Sequence, residues 1–370
     1  MSEIYVDVLG IAGLFNQIGR VREDAVRTLE FVKTHCDLDV DETGILGAWT
    51  GPHSDAYATV TAVLQDTIDR ADFGMFAVNQ IAGTYAIADQ GAMQGFDDAL
   101  VREINPFHET VDAVLVRYPG LKGAHEPFQD AVRPLDCLTW SPVPDPPEQF
   151  DFRWYADLLS PSAWLRLGTQ KLLGVDPFEY WLKLLGSGDW SSYQRVAITW
   201  AQVANIADAL GTNLVRAAQD LPTVWRGHAA FMCQNFLTDW ARALRAFAEG
   251  CRFYSARYQQ ATGAAKETYA ALDPLFSQFF DWVEISLVAA GIGTAGIETV
   301  IVAIGGYTVA GFFIWKAFDC YNEISAVLDR FEVLVHGVGA AVSGYQANHP
   351  WHMPDINVPM FPVPVPVVTR

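Results

Sequence analysis

The residue types best suited to chemistry are sparse in this chain, and their spacing completes no reactive centre. His108-Glu109-Thr110-Val111-Asp112 begins like a zinc-binding helix, but Asp112 stands where the second histidine is needed. His349 and His352 flank Pro350-Trp351 with no carboxylate nearby beyond Asp355. The acidic run Asp37 to Gly44 opens like a calcium loop. Glu42, however, takes the place of the turn glycine, and Ala48 that of the bidentate glutamate, so it reads as a solvated loop. Gly291-Ile292-Gly293-Thr294-Ala295-Gly296 has neither the preceding strand nor the charged clamp of a phosphate loop. The eight histidines form no cluster, and the five cysteines (Cys36, Cys137, Cys233, Cys251, Cys320) form no CxxC pair. They read as small buried hydrophobes in a chain that folds under reducing conditions. These patterns predict no catalysis, no metal and no cofactor.

Recognition is the chemistry that the sequence favours. Trp49-Thr50-Gly51 is followed by Tyr85-Ala86-Ile87-Ala88-Asp89, and Trp225-Arg226-Gly227 by Tyr269-Ala270-Ala271-Leu272-Asp273. The same two short motifs thus occur twice in the same order, which marks a repeated supersecondary unit. A tryptophan at a helical turn offers a rigid apolar face with an N–H handle, and the adjacent glycine permits close approach. Tyrosine and aspartate four residues apart share one helix face. Two readings of each motif stay open at this point. Trp49 and Trp225 either dock a partner or plug the ends of helical hairpins. Asp89 and Asp273 either belong to a recognition surface or are solvated carboxylates.

The elements that position these motifs are helices. Ile11, Leu14, Ile18, Val21, Ala25, Leu29 and Val32 step by three and four, as a buried helical stripe requires. After the turn at Trp49-Thr50-Gly51-Pro52, Tyr57, Val60, Leu64, Ile68, Ala71, Met75, Val78, Ala82 and Tyr85 repeat that spacing. In the second copy, Val196 to Leu221 and Cys233 to Tyr258 carry the same stripe, predicting two helices of ~30 residues each. Weaker signals suggest short helices at 107–117 and 177–185, with Asp189 as an N-cap for the helix after it. Ala317 to Val342 predicts one more amphipathic helix. The expected fold is all-α, with two antiparallel helical hairpins. Its parts are a first hairpin at 1–105, a connection at 106–152 containing the proline-rich linker 141–147, a second helical domain at 153–346, and an extended Pro-Val tail at 347–370.

Composition bounds the partners. A net charge of −19 repels nucleic acid and anionic lipid headgroups, so no nucleic-acid partner is expected. The N-terminus Met1 to Asp7 lacks the basic and apolar regions of a Sec signal. From Ile285 to Trp315, Glu298 is the one charged residue, and glycines are frequent. Thr299 to Trp315 falls short of the about twenty apolar residues that span a bilayer. Extending it would bury Glu298 at about 2.5–3.5 kcal/mol. A protein-covered hairpin and a membrane-contacting segment are both compatible with this composition.

The two W-x-G turns between long helices resemble those of the ESAT-6-like (WXG) proteins exported by type VII, or ESX, secretion systems. Tyr85…Asp89 and Tyr269…Asp273 match the Y-x-x-x-D/E export signal of that family. Gly51-Pro52-His53 with Tyr85…Asp89 is similar to its EspC-like branch. Gly188-Asp189-Trp190 leading to Trp225-Arg226-Gly227-His228-Ala229-Ala230 resembles the actinobacterial W-x-G modules that precede glycine-rich hydrophobic regions in larger effectors. The resemblance covers roughly residues 1–105 and 176–345. It implies WXG-type hairpins and Trp49, Gly51, Tyr85, Asp89, Trp225, Gly227, Tyr269 and Asp273 as export or partner-binding residues. It implies a secretion ATPase or chaperone as partner, pairing with a small WXG-type protein or self-association, and a secreted or envelope-associated destination. Family members join one partner's W-x-G to the other's Y-x-x-x-D. Two copies and an apolar insert depart from the single-module pattern of about one hundred residues. The Pro-Val tail, read as the start of an interdomain linker, suggests the alternative of a targeting and membrane-translocation module of a polymorphic toxin.

Overall fold

A computed structural model of the chain describes residues 4–38, 44–87, 126–138, 181, 190–289 and 309–348. Among these residues the fold is all-α, apart from one two-residue antiparallel bridge. The expected helix at 107–117, the linker 141–147, Asp89, Asp189, most of 177–185 and the tail from residue 349 on lie outside the described residues.

The chain enters as strand β1 (Tyr5–Val6) and turns into helix α1 (Val8–Cys36). Asp7 caps α1, its carboxylate accepting the Leu9 N–H at 3.1 Å, which satisfies one of the free N–H groups of the first turn. Lys33 lies in the last turn, where a cation complements the helix dipole. A short 3-10 helix (Gly44–Trp49) leads into helix α2 (Thr50–Ile87), which runs back along α1. All seven stripe residues of α1 are buried, and Val60, Leu64, Ile68, Ala71, Val78 and Tyr85 of α2 close over them. At the surface Arg22 pairs with Asp72 at 2.6 Å across the two helices.

Helix α3 (Trp190–Val224), strand β2 (Trp225–Arg226) and helix α4 (His228–Ala289) form the second antiparallel pair. Its two stripes, Val196 to Leu221 and Cys233 to Tyr258, are buried throughout. The Gln234 amide donates to the Ala218 carbonyl at 2.8 Å, and the Ser255 hydroxyl to that of Ala197 at 2.7 Å, which fixes the register.

Helix α4 departs from the expected length. It runs for 62 residues, about 93 Å, well past the end of the 35-residue α3. Pro274 lies inside it and removes one backbone donor, a change that costs about 3 kcal/mol in a helix interior. Burial offsets that cost, because Leu272, Phe276, Phe279 and Val283 continue the stripe beyond the proline. They are covered by helix α5 (Val309–Asn348), which returns antiparallel along α4. Phe253 stacks on Tyr345 at 4.2 Å near one end of this pair, and Trp282 on Phe313 at 5.7 Å near the other. Trp181 is fully buried between them, 4.9 Å from Phe276 and 5.7 Å from Tyr321.

The two copies do not stand apart. Helix α1 also packs along α3, and the stripes of α1 to α4 merge into one continuous apolar core. The start of α1 meets the end of α3, where the Asp7 N–H donates to the Val224 carbonyl at 2.7 Å. The end of α1 meets the start of α2. The two W-x-G turns therefore lie at opposite ends of α1, separated by about 43 Å for its 29 residues.

Candidate functional site

The first turn is built from aromatic rings drawn from both copies. Trp49 closes the 3-10 helix and is 1% exposed. Its ring meets Tyr258 of α4 edge-on at 4.6 Å and Tyr193 of α3 at 6.0 Å. Helix α5 seals the far side. A Cβ on Gly339 would lie 2.9 Å from the indole nitrogen and 3.3 Å from Pro52 Cγ, so only glycine fits there.

His53, one turn along α2, is buried beside Trp49. Its Nε2 lies 2.9 Å from the Cys36 carbonyl, and its Nδ1 lies 2.7 Å from the Tyr258 hydroxyl. A carbonyl can only accept, so Nε2 carries the proton and Nδ1 accepts from Tyr258. The neutral ring thus ties α1, α2 and α4 together. Burial lowers its pKa to about 4, against the smaller opposing effects of the Cys36 carbonyl and Asp37. Burial also pushes the Cys36 and Cys251 thiols up, and that of Cys233 to about 12. These sulfurs stay protonated at neutral pH and carry no thiolate nucleophile.

The second turn is built differently. Trp225 lies in β2, paired with Val6 of β1, while Arg226 pairs with Tyr5. Trp225 is fully buried, and the ring set against it is Tyr85, in T-shaped contact at 6.0 Å. Tyr85 belongs to the first copy. The W-x-G of copy two therefore receives the tyrosine of copy one. Arg226 stays exposed, with its guanidinium over the Tyr5 ring at 5.4 Å and its Nε donating to the Pro222 carbonyl.

The reciprocal contact is not formed. Tyr269 is half-buried in the middle of α4, Asp273 is exposed, and Pro274 follows at once. The rings around Trp49 are those of Tyr193 and Tyr258 instead. Of the eight residues singled out from the sequence, Trp49, Tyr85 and Trp225 are interior, and Gly51 and Asp273 are exposed. Gly227 and Tyr269 are intermediate, and Asp89 is outside the described residues. Both tryptophans are buried, and Trp225 has the Tyr85 ring of the first copy against it.

The two motif glycines serve different ends. Gly227 has φ 134°, which side-chain-bearing residues rarely adopt. Gly51 has ordinary helical geometry, is exposed, and would leave an added Cβ in open space. Gly227→Ala is expected to cost about 1–3 kcal/mol of backbone strain. Gly51→Ala should stay within about 1 kcal/mol of the parent, on the stabilising side. Urea unfolding of both variants checks this, and equal effects would contradict it.

A third cluster joins α1 and α3 to a segment that carries no sequence motif. Residues 126–138 form a strap lying across α1 and α3. Arg20 grips the Asp130 carboxylate through Nε at 2.7 Å and Nη2 at 3.1 Å. Asp24, one turn further along α1, has its pKa pushed up to about 6 by burial and then by the Asp130 and Glu23 carboxylates. The available signal was the pairing of polar residues with stripe positions: Gln17 beside Ile18, Asn213 beside Leu214, Asp220 beside Leu221. All three polar side chains are buried.

The apolar insert is described only at its two ends. Ile285 near the end of α4 is 39% exposed, and Phe312 and Trp315 near the start of α5 are 53% and 56% exposed. No described helix is long and apolar enough to cross a membrane, and no metal-binding cluster occurs among the described residues. Comparisons of the chain with protein-family models, with characterised proteins and with solved structures found no match.

Proposed function

We propose that this chain is a non-enzymatic substrate of a type VII (ESX) secretion system that carries its own pairing partner. Its two WXG-like hairpins, α1–α2 and α3–α4, take the roles that two separate small helical proteins fill in the resembling family. The observation that carries this reading is the edge-on contact of Tyr85 with Trp225. It joins the Y-x-x-x-D of one copy to the W-x-G of the other, the composite arrangement that the resemblance implies. The antiparallel packing of α1 on α3 supports the same reading, since it sets the two turns at opposite ends. The chain acts by recognition. His53 is held in interior hydrogen bonds and the buried thiols stay protonated, so neither offers a reactive group at neutral pH.

On this reading the export address is the Tyr85…Asp89 motif, whose tyrosine packs inside against Trp225, and it is read by a secretion ATPase or its chaperone. The second Y-x-x-x-D, Tyr269 with Asp273, builds helix α4 and is not read. Asp89→Ala should therefore lower the protein in culture filtrate at least tenfold, with normal cellular level and helicity, in an actinobacterial host bearing the system. Asp273→Ala should be exported like the parent. Export of Asp89→Ala at the parental level would sink the proposal.

A further inference from the structure

The strap touches the helices in the manner of a ligand in a receptor. Only Phe128 and Pro134 of its side chains are buried, with Asp130 half-buried between them; Glu126, Pro127, Gln129, Ala131, Val132 and Arg133 face solvent. Cys137 and Leu138 pack part-buried against the core, and several of the polar contacts are to the main chain of the strap. The Phe128 N–H donates to the Asp220 carboxylate at 2.7 Å, and its carbonyl accepts from Arg20 at 2.7 Å. Asn213 reads two successive peptide units. Its Oδ1 accepts from the Ala131 and Val132 N–H groups at 2.9 and 3.1 Å, and its Nδ2 donates to the Val132 carbonyl at 2.9 Å. Gln17 donates to the Asn213 carbonyl at 3.1 Å and reaches the Asp130 carboxylate at 3.5 Å.

The reading groups are buried and fixed. Gln17, Asn213 and Asp220 are 0%, 1% and 4% exposed. A notch for the Phe128 ring exists because residue 13 is glycine: a Cβ there would lie 2.8 Å from the ring. Phe128 itself has φ 58°, an unfavourable backbone for a bulky residue, and the site holds it there. Meanwhile α1 and α3 bury their own apolar stripes, such as Ile18 and Leu214, in the continuous core. The strap adds the Phe128 ring to that core.

We infer that the seam between α1 and α3 is a peptide-recognition site for a turn-rich segment of the pattern Phe-x-Asp-x-x-x-Pro, filled here by residues 126–138 of the same chain, which close in a 3-10 helix at Pro134–Cys137, and that this segment binds equally when supplied on a separate molecule. Side chains that read main-chain amides, with one ring in a notch and one carboxylate on an arginine fork, recognise a short motif without needing the rest of the fold. The resident strap blocks the site through its high effective concentration, so a free peptide competes only once the resident is weakened.

The test is fluorescence anisotropy with a labelled peptide of residues 125–136, titrated with the full-length chain. Phe128→Ala/Asp130→Ala should bind the peptide at least tenfold more tightly than the parent chain. Adding Gly13→Ala, which fills the notch while favouring the helix, should abolish that gain, as should Asp130→Ala within the peptide. Equal binding by the parent and the weakened chain, or indifference to Gly13→Ala, overturns the inference. Should the double variant lose its helical circular dichroism, Asp130→Ala alone replaces it. It too must bind more tightly than the parent, and equal binding again overturns the inference.

Discussion

Trp225→Ala is expected to lower the unfolding free energy by about 3–5 kcal/mol, the range for deleting a buried large aromatic side chain. The size follows from what the indole supports. It is fully buried, it carries the Tyr85 ring from the other copy, and its strand holds β1 by antiparallel pairing with Val6. Truncation leaves a cavity bounded by helix ends that cannot close over it, since β2 and Gly227 fix the chain path there. Trp225→Phe keeps an aromatic face toward Tyr85 and should cost less than half as much. Arg226→Ala, at the exposed neighbouring position, should stay within about 0.5 kcal/mol. Urea midpoints of the three variants check the order, and a Trp225→Ala loss under 1 kcal/mol would contradict it.

The second large effect is on acid stability. Burial lowers the pKa of His53 from its ordinary 6.5 to about 4. A depressed folded-state pKa gives stability that is complete above pH 6.5 and is lost as pH falls toward 4, because the unfolded chain takes up the proton first. The full effect is about 3 kcal/mol, of which about 2 kcal/mol is gone by pH 5. Asp24 acts in the same window with the opposite sign. Its carboxyl is raised to about 6 by burial and by Asp130, so the folded state is penalised above pH 6 and relieved as pH falls. Wild type should therefore lose less than His53 alone dictates between pH 7 and pH 5. Asp24→Asn, which removes the relief, should lose about 2 kcal/mol over that interval. Denaturation at both pH values measures the difference. A shallower loss in Asp24→Asn than in wild type would contradict the assignment.

The helices were legible because their stripes are regular. Each residue counted from Ile11 to Val32, and from Val196 to Leu221, is buried where the three-four spacing sets it. The stripe from Cys233 to Tyr258 predicts a helix of ~30 residues, whereas α4 runs for 62. The continuation through Pro274 depends on a partner, α5 with Trp181, that lies far away in sequence. The pairing of the copies was not legible either. A tryptophan at a turn reads equally as plug and as docking face, and its spacing gives no sign that Trp225 meets Tyr85. Nor does the motif pattern distinguish Gly51, exposed with open space, from Gly227, required by its φ of 134°. The strap escaped because its recognition runs through main-chain groups, which leave no mark in composition. Its receptors leave a faint one, polar residues beside stripe positions on α1 and α3.

The central claim is that the two copies are each other's partner, joined where the tyrosine of the first meets the turn of the second. A double-mutant cycle between Tyr85 and Trp225, with each residue changed to leucine singly and together, isolates that contact from the burial each ring makes alone. The account predicts a coupling energy of about 0.5–1.5 kcal/mol, as for an edge-on aromatic pair. Additive single effects, with no coupling beyond error, would contradict it.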